Sequence, residues 1–381
     1  MEEICLADSG GPGLGSVRQS LFVLSDRAQN STANNVMTLE HHDFASDNTA
    51  PICPEAWAAL YEANADYAAA YGEDRWTTRV CDRIREIFET DCDVYFVFTG
   101  TAANALALAH LCPSFRSIIC HQNAHIHTDE CGGPEFFTGG SKLLLVGGGH
   151  GKIDVGETKA LLMRQNELHS HKPGVISIAQ ATEFGTVYTR DDIAAVAGLA
   201  RSYELFVHMD GARFANAVAS LNCSPRTITC EAGVDVLCLG GTKNGTAAGE
   251  LVIFFNKEIS RQFDYRIKQA GQLGSKMRFL AAMWMGLLTG DVWLRNAQHA
   301  NRAARQLATQ LQHMAKVQVV FPVEANAVFV RLDDRVARAI HAGRWRFYKF
   351  VEPDVYRLMC SWSTTEEQIS NLVADIAAIN D

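Results

Sequence analysis

From Phe44 onward one unit recurs in the chain: a short apolar run, a glycine-bearing turn, then an amphipathic helix. Residues 94–98 form such a run and lead through Gly100 into a helical stretch over 102–111. Further short runs, rich in Leu and β-branched residues, lie at 118–120, 143–146 and 175–178. Residues 191–202 read as a helix and 205–209 as a strand that ends at Asp210, with more strands at 234–239 and 249–255. Strands apolar on both faces must be covered on both sides, and the intervening helices supply that cover. The pattern predicts an α/β fold built on a large, mostly parallel sheet.

After Trp293 the pattern changes. A long helix over 294–315, rich in Ala, Gln and Arg, precedes strand-like runs at 317–321 and 327–332 and a last helix at 365–379. The expected organisation is a flexible N-terminal extension over 1–40, a large domain over 41–290 and a smaller C-terminal α+β domain over 291–381. Gly10-Gly11-Pro12-Gly13 and the polar run from Gln29 to Asn35 give the extension its character, with Met37 as an alternative start. The acidic opening Met1-Glu2-Glu3 argues against a secretory signal.

Composition narrows the function classes. Hydrophobic residues make up 48% and charged residues 20% of the chain, enough for a packed core. A net charge of −9 argues against nucleic acid or an anionic membrane surface as partner. Residues 94–112 contain no Asp, Glu, Lys or Arg, but Thr99-Gly100-Thr101 in their midst reads as a turn between strand and helix rather than a membrane span. The 11 cysteines are odd in number and include no Cys-x-x-Cys pair, so they read as free thiols of a cytoplasmic protein.

Two tempting motifs fail. Gly147-Gly148-Gly149-His150-Gly151-Lys152 lacks both the leading Gly and the trailing Ser or Thr of a phosphate loop, with Val146 and Ile153 in those places. It reads as a surface turn. His121, His125, His127, Asp129 and Glu130 include metal-ligand types, but their spacing completes no site, and no metal is expected.

A third constellation is more specific. Asp210, at a strand end, opens Asp210-Gly211-Ala212-Arg213, and Lys243 follows the next strand in Gly241-Thr242-Lys243-Asn244-Gly245. Thr99-Gly100-Thr101-Ala102-Ala103-Asn104 joins another strand to a helix. Open α/β sheets bind ligands outside the carboxyl ends of their strands, so the three segments converge. The residue types suit pyridoxal phosphate. A lysine near apolar strand ends can offer a neutral amine for a Schiff base. A carboxylate facing the pyridine nitrogen keeps it protonated. The backbone N–H groups of Gly100, Thr101 and Ala102, with the Thr101 hydroxyl, open a helix that can hold the phosphate.

On these and further motifs the chain resembles the fold-type-I pyridoxal-phosphate enzymes, within them the β-eliminating lyase and threonine aldolase group, from about Phe44 to the end. The carrying motifs are Phe44-Ala45-Ser46-Asp47-Asn48, Tyr71-Gly72-Glu73-Asp74, Ala124-His125 with Glu130-Cys131-Gly132-Gly133-Pro134-Glu135-Phe136-Phe137, and His208-Met209-Asp210-Gly211-Ala212-Arg213-Phe214. Gly241-Thr242-Lys243, Tyr265-Arg266, Ser275-Lys276-Met277-Arg278 and Arg357-Leu358-Met359-Cys360-Ser361-Trp362 complete the set. They are most similar to the bacterial low-specificity L-threonine aldolases.

The resemblance implies that Lys243 carries the cofactor, with Thr242 beside it, that Asp210 pairs with the pyridine nitrogen and that His125 stacks on the ring. It implies that Arg213 and Arg357 hold the substrate carboxylate with Ser46 as hydroxyl partner. Tyr71 would enter from a neighbouring subunit and Arg266 would reach the phosphate across the same interface, in a homo-oligomer built as a dimer of dimers. The implied reaction is retro-aldol cleavage of L-threonine and L-allo-threonine to glycine and acetaldehyde. His125 is the first candidate for the base, the alternative being that it only stacks and positions. Where many members carry Thr-His-Asn-Gly, this chain has Thr182-Glu183-Phe184-Gly185. Two other readings are an aldolase preferring aromatic β-hydroxy amino acids and a non-catalytic binder of the cofactor.

Overall fold

A computed structural model describes residues 42–164 and 167–380; the extension expected over 1–40 lies outside them. Seven strands form one sheet in the spatial order Asp93–Val97, Glu250–Phe254, Val236–Leu239, Phe206–Gly211, Lys172–Ala179, Arg116–His121, Lys142–Val146. All neighbours are parallel except Glu250–Phe254, which runs antiparallel to both strands beside it. The central strands are buried nearly throughout, which is why they read as apolar runs without alternation.

Helices cover both faces. Gly100–Leu111 is apolar on almost every side and is buried from Ala103 to Ala109, as a helix packed among other elements must be. Arg75–Phe88 shows the opposite pattern, burying only Trp76, Val80, Ile84 and Phe88 on one stripe. Asp74 caps it by accepting from the Thr77 N–H at 2.9 Å. The stretch 94–112 is a strand, a turn and a helix, and among the described residues no helix is long and apolar enough to cross a membrane.

The long helix expected after Trp293 is Val292–Gln312, and it buries an alanine-rich stripe that includes Ala297, Ala300, Ala304 and Ala308. Beyond it stands a four-stranded antiparallel sheet in the order Tyr348–Val351, Val355–Met359, Ala327–Arg331, Gln318–Val319. Two of its strands have no counterpart in the sequence reading, and the run expected over 317–321 is only the two residues Gln318–Val319. The segment that follows His42–Asp43 ties the two sheets together. Its Phe44 carbonyl accepts from Met359 N at 2.7 Å, and Phe44 sits in the apolar cluster of Val330, Trp345, Leu358 and Leu372.

The turn at 147–152 is a short 3-10 element, Gly149–Gly151. It is exposed at Gly148, Gly149 and His150 but closes on a buried Gly151. A Cβ on Gly148, at φ +152°, would fall 1.8 Å from the Lys152 carbonyl, so only glycine fits. Lys152 turns away to pair with Asp192 at 2.9 Å.

Candidate active site

A cavity of about 500 Å³ opens at the carboxyl ends of the parallel strands. Lys243, Thr242, Asp210, His125, Gly100 and Thr101 line it, together with Asn48, Asn104 and Asp129. Lys243 lies on the short turn Thr242–Asn244, between the buried strands Val236–Leu239 and Glu250–Phe254. Glu250 fastens that turn by accepting the Gly241 N–H at 2.5 Å. A Cβ on Gly241 would stand 2.6 Å from the Trp284 ring, so the backbone before Lys243 is pressed against the core.

Asp210 ends Phe206–Gly211 with its carboxylate gripped from two sides. Oδ1 accepts from Ala212 N at 3.0 Å and Oδ2 from Asn104 Nδ2 at 2.9 Å. Burial alone would raise its pKa, but the charge of His125, the Ala212 N–H, Lys243 and the Asn104 amide together hold it below the ordinary carboxylate value. Asp210 is therefore an anion at neutral pH. Its neighbour His208 is buried between Ser177 Oγ and Cys238 Sγ, and burial lowers its pKa to about 4, so it stays neutral.

The helix start is half used by its own cap. Thr99 Oγ1 accepts the Ala102 N–H at 3.2 Å, so Ala102 is not free to bind a ligand, contrary to the sequence reading. Gly100 and Thr101 keep N–H groups without an acceptor among the described residues, at the positive end of a 12-residue helix. A Cβ on Gly100 would meet no atom within 4 Å, which leaves room for an anion there.

His125 stands over the cavity with Nδ1 at 2.9 Å from Glu130 Oε1. That hydrogen bond, and behind it Asp210 and Glu183, raise the imidazole pKa above its ordinary value despite burial. His121 is engaged elsewhere, with Asn123 N and Gly148 O, and His127 is exposed. Among the described residues one group has metal-like proximity, His125, Glu130 and Asp210, whose ligand atoms lie within 4.8 Å of one another. Hydrogen bonds already join all three, since Asn104 Nδ2 donates to both carboxylates.

Two arginines, Arg213 and Arg357, lie close to one another. Arg213 is not free, because its Nε and Nη2 form a fork on Asp47 at 2.8 and 2.9 Å, with Asn326 adding a third bond to that carboxylate. Nη1 and the second N–H of Nη2 have no acceptor among the described residues. Arg357, on Val355–Met359, stacks over Phe350 at 5.1 Å and has a buried Nε with no partner among the described residues. Burial first, then the nearby Arg213 charge, lowers its pKa, the signature of a desolvated cation held beside another. Glu183 shares this corner. Burial raises its pKa, and Arg213, His125 and Lys243 only partly offset that.

Ser46 caps the turn that carries Asp47, accepting from Asn48 N at 3.2 Å. Tyr71 and Arg266 are not brought to the cavity of their own chain. Tyr71 is 51% exposed, its ring beneath Lys268 Nζ at 4.7 Å. Arg266 lies on Phe263–Gln269, close enough to His110 to lower its pKa after burial has done so, and has a buried, unpartnered Nε. Sequence reasoning missed Asp47, Asn104, Glu130, Glu250 and Asn326 as functional residues. Three of them sit inside motifs that it quoted, but their partners are far along the chain.

The sequence profile of the family described as beta-eliminating lyase matches residues 43–335. A low specificity L-threonine aldolase of Pseudomonas aeruginosa is 52% identical over 343 residues, which span 90% of this chain and 99% of that protein. Another, from a Pseudomonas species, is 50% identical over the same shares. Among solved structures, a threonine aldolase of Leishmania major superposes with a TM-score of 0.84 at 25% identity, over 89% of this chain and 100% of that one.

Proposed function

Because the chain belongs to the β-eliminating lyase family, on its threonine aldolase branch, we propose that it cleaves L-threonine and L-allo-threonine to glycine and acetaldehyde with pyridoxal phosphate as cofactor. The observation that carries this reading is that Lys243 and Asp210 face one cavity whose wall is a helix start with two unpaired N–H groups. The residues fit that cofactor. Gly100 and Thr101 offer donors and the helix dipole to a phosphate, Asp210 offers a buried anion to a ring nitrogen, and Lys243 offers the amine that holds the aldehyde carbon.

When bound, the cofactor supplies an electron sink for the pair left at Cα as the Cα–Cβ bond breaks. The chain does the rest. Arg357 and the remaining N–H groups of Arg213, with Ser46, would hold the substrate carboxylate and so fix the substrate's orientation. His125 stands where it can take the β-hydroxyl proton or pass it to water. Glu183 presents a carboxyl where many relatives carry His.

A second reading, preference for an aromatic β-substituent, is favoured by one feature. Phe184 packs against Phe321, Phe329 and Phe350 at 4.9, 6.2 and 5.7 Å, and Arg357 leans on the last of these rings. Purified protein given pyridoxal phosphate and L-threonine should release equimolar glycine and acetaldehyde. Absence of both from every β-hydroxy amino acid tried would refute the reading, and a much higher kcat/KM for phenylserine than for threonine would select the second.

The assembly we infer is a homo-oligomer, a tetramer made as a dimer of dimers, in which Tyr71 and Arg266 serve the partner's site. Trp57, Tyr61, Tyr67, Phe136 and Tyr265 are all more than half exposed, a surface that a second copy would cover. The setting we infer is the cytoplasm, in keeping with ten described cysteines that are all free.

A further inference from the structure

The turn after His125–Thr128 carries a carboxylate that none of the steps above uses. Glu130 is buried, its side chain wholly out of water, and Oε1 receives two hydrogen bonds: from Asn104 Nδ2 at 2.8 Å and from His125 Nδ1 at 2.9 Å. Asn104 Nδ2 also donates to Asp210 Oδ2 at 2.9 Å. A continuous buried chain therefore runs Asp210, Asn104, Glu130, His125.

The chain has one consistent assignment of donors. Asn104 must turn its NH₂ toward the two carboxylates, because the flipped amide would set Oδ1 against two acceptor oxygens. Oε1 of Glu130 is then an acceptor, and it remains one whether the carboxyl is ionised or carries a proton on Oε2. With no proton on Oε1, the contact with His125 is Nδ1–H donating to Oε1. With Nδ1 protonated, the neutral ring bears its lone pair on Nε2.

We propose that Glu130 is a positioning residue that fixes the tautomer of His125, holding the proton on Nδ1 so that Nε2 presents its lone pair to the substrate. Asn104 holds Glu130 in turn and ties its orientation to Asp210. The logic is that of a carboxylate orienting a catalytic imidazole in an acyl-transfer triad, reached here on an unrelated fold. The proposal rests on the aldolase reading only for the identity of the proton that Nε2 accepts, the one on the substrate's β-hydroxyl. The charged groups about the ring are Glu130 on its own turn, Asp210 at the strand end and Glu183 on the loop after Lys172–Ala179, with Lys243 and Arg213 beyond them. The bond from Glu130 is the strongest of these influences and raises the His125 pKa, in keeping with its place at the end of the chain.

The test reads the ring itself and does not depend on turnover. The full-length protein, labelled with ¹⁵N-histidine, is compared with and without cofactor by long-range ¹H–¹⁵N correlation spectra, with His125→Asn to assign the signal. Neutral His125 should appear as the Nδ1–H tautomer; an Nε2–H signal overturns the proposal without any variant. Glu130→Gln keeps an acceptor at Oε1 and removes the charge, so the tautomer should persist while the His125 titration and the acidic limb of kcat/KM both move to lower pH. If neither moves, the proposal fails. Glu130→Leu removes the acceptor, which should mix the tautomers and cut kcat roughly 10- to 100-fold with KM changed less than about threefold. Should that variant not fold, the wild-type and Glu130→Gln spectra still decide. A protein with the expected tautomer and titration that cleaves no β-hydroxy amino acid would leave the relay standing and remove the aldolase reading.

Discussion

Arg213 grips Asp47 with two parallel hydrogen bonds of 2.8 and 2.9 Å, although 166 residues separate them and both side chains are almost entirely out of water. The pair joins the loop after strand Phe206–Gly211 to the N-terminal segment, and Asn326 joins both to the second sheet through the same carboxylate.

Asp47→Asn removes one charge of a buried pair and should destabilise the protein by about 3–5 kcal/mol. Burial would raise the Asp47 pKa, but Arg213, Lys243 and Asn326 more than reverse that and bring it below 3.8. A carboxyl lowered in the folded state stabilises fully above its unfolded pKa, and the contribution is lost as pH falls through the folded value. Urea melts should therefore show the gap between wild type and variant at its full size at neutral pH and shrinking under acid. A gap independent of pH would contradict the assignment.

Lys243→Ala should abolish turnover. Borohydride treatment of the cofactor-loaded wild type, followed by peptide mapping, should mark Lys243. A mark on Lys152 or Lys268 instead would sink the assignment, and Lys152 is already committed to Asp192.

Arg357→Ala should lower kcat/KM for L-threonine about 10- to 100-fold, the scale of one charge-assisted hydrogen bond. Arg357→Lys should recover little, since an ammonium reproduces neither the fork nor the stacking on Phe350. Kinetics with threonine and threonine amide separate the causes. The wild type should prefer the free carboxylate strongly and the variants weakly, and an unchanged preference would place the carboxylate elsewhere.

Both L-threonine and L-allo-threonine should be cleaved, and phenylserine too, with no turnover of D-isomers. On the proposed reading the arginines judge only groups common to all α-amino acids, and an apolar pocket discriminates by roughly 1–3 kcal/mol per methylene. Inverting Cα would carry the carboxylate away from Arg357. Acetaldehyde release from the four threonine stereoisomers measures this. Strict selectivity for one L-diastereomer would show that Glu183 reads the hydroxyl after all.

Mixing inactive Lys243→Ala and Tyr71→Phe subunits should restore part of the activity after exchange, because some mixed sites receive both native residues. A fully active monomer by light scattering would end the shared-site reading.

The chemistry-bearing residues were legible where a polar side chain interrupts apolar sequence at a strand end. Asp210 and Lys243 stand out for that reason, and the same logic rejected a phosphate loop at Gly147–Lys152, where the glycines serve a tight turn. Glu130, Asp47 and Asn326 were not legible as a set. Each looks like an ordinary loop residue until the fold supplies partners that lie, for Asn326 and Asp47, 279 positions apart. Arg213 was recognised, but nothing local shows that two of its N–H groups are spent on Asp47. The strands Tyr348–Val351 and Val355–Met359 escaped because the first is largely exposed, with Lys349 in it, and Glu352, Pro353 and Asp354 break the run between them. Tyr348–Val351 is the edge strand of its sheet, which is where such a polar composition is tolerated.

The N-terminal segment also orders events during synthesis. Phe44 bonds Met359, Asp47 bonds Asn326, and the Pro51 carbonyl receives the indole N–H of Trp362, a span of 311 residues. In each contact one partner is synthesised at least 279 residues before the other. Until the last strand emerges, the segment has nothing to dock on, and Arg213 lacks the held carboxylate that shapes its reach. A nascent chain can thus complete much of the large sheet and still lack the Asn326 and Met359 contacts that dock the segment. A chain cut short before Val355 would lack the strand that carries Arg357 and Met359, so the carboxylate grip proposed above would be unmade.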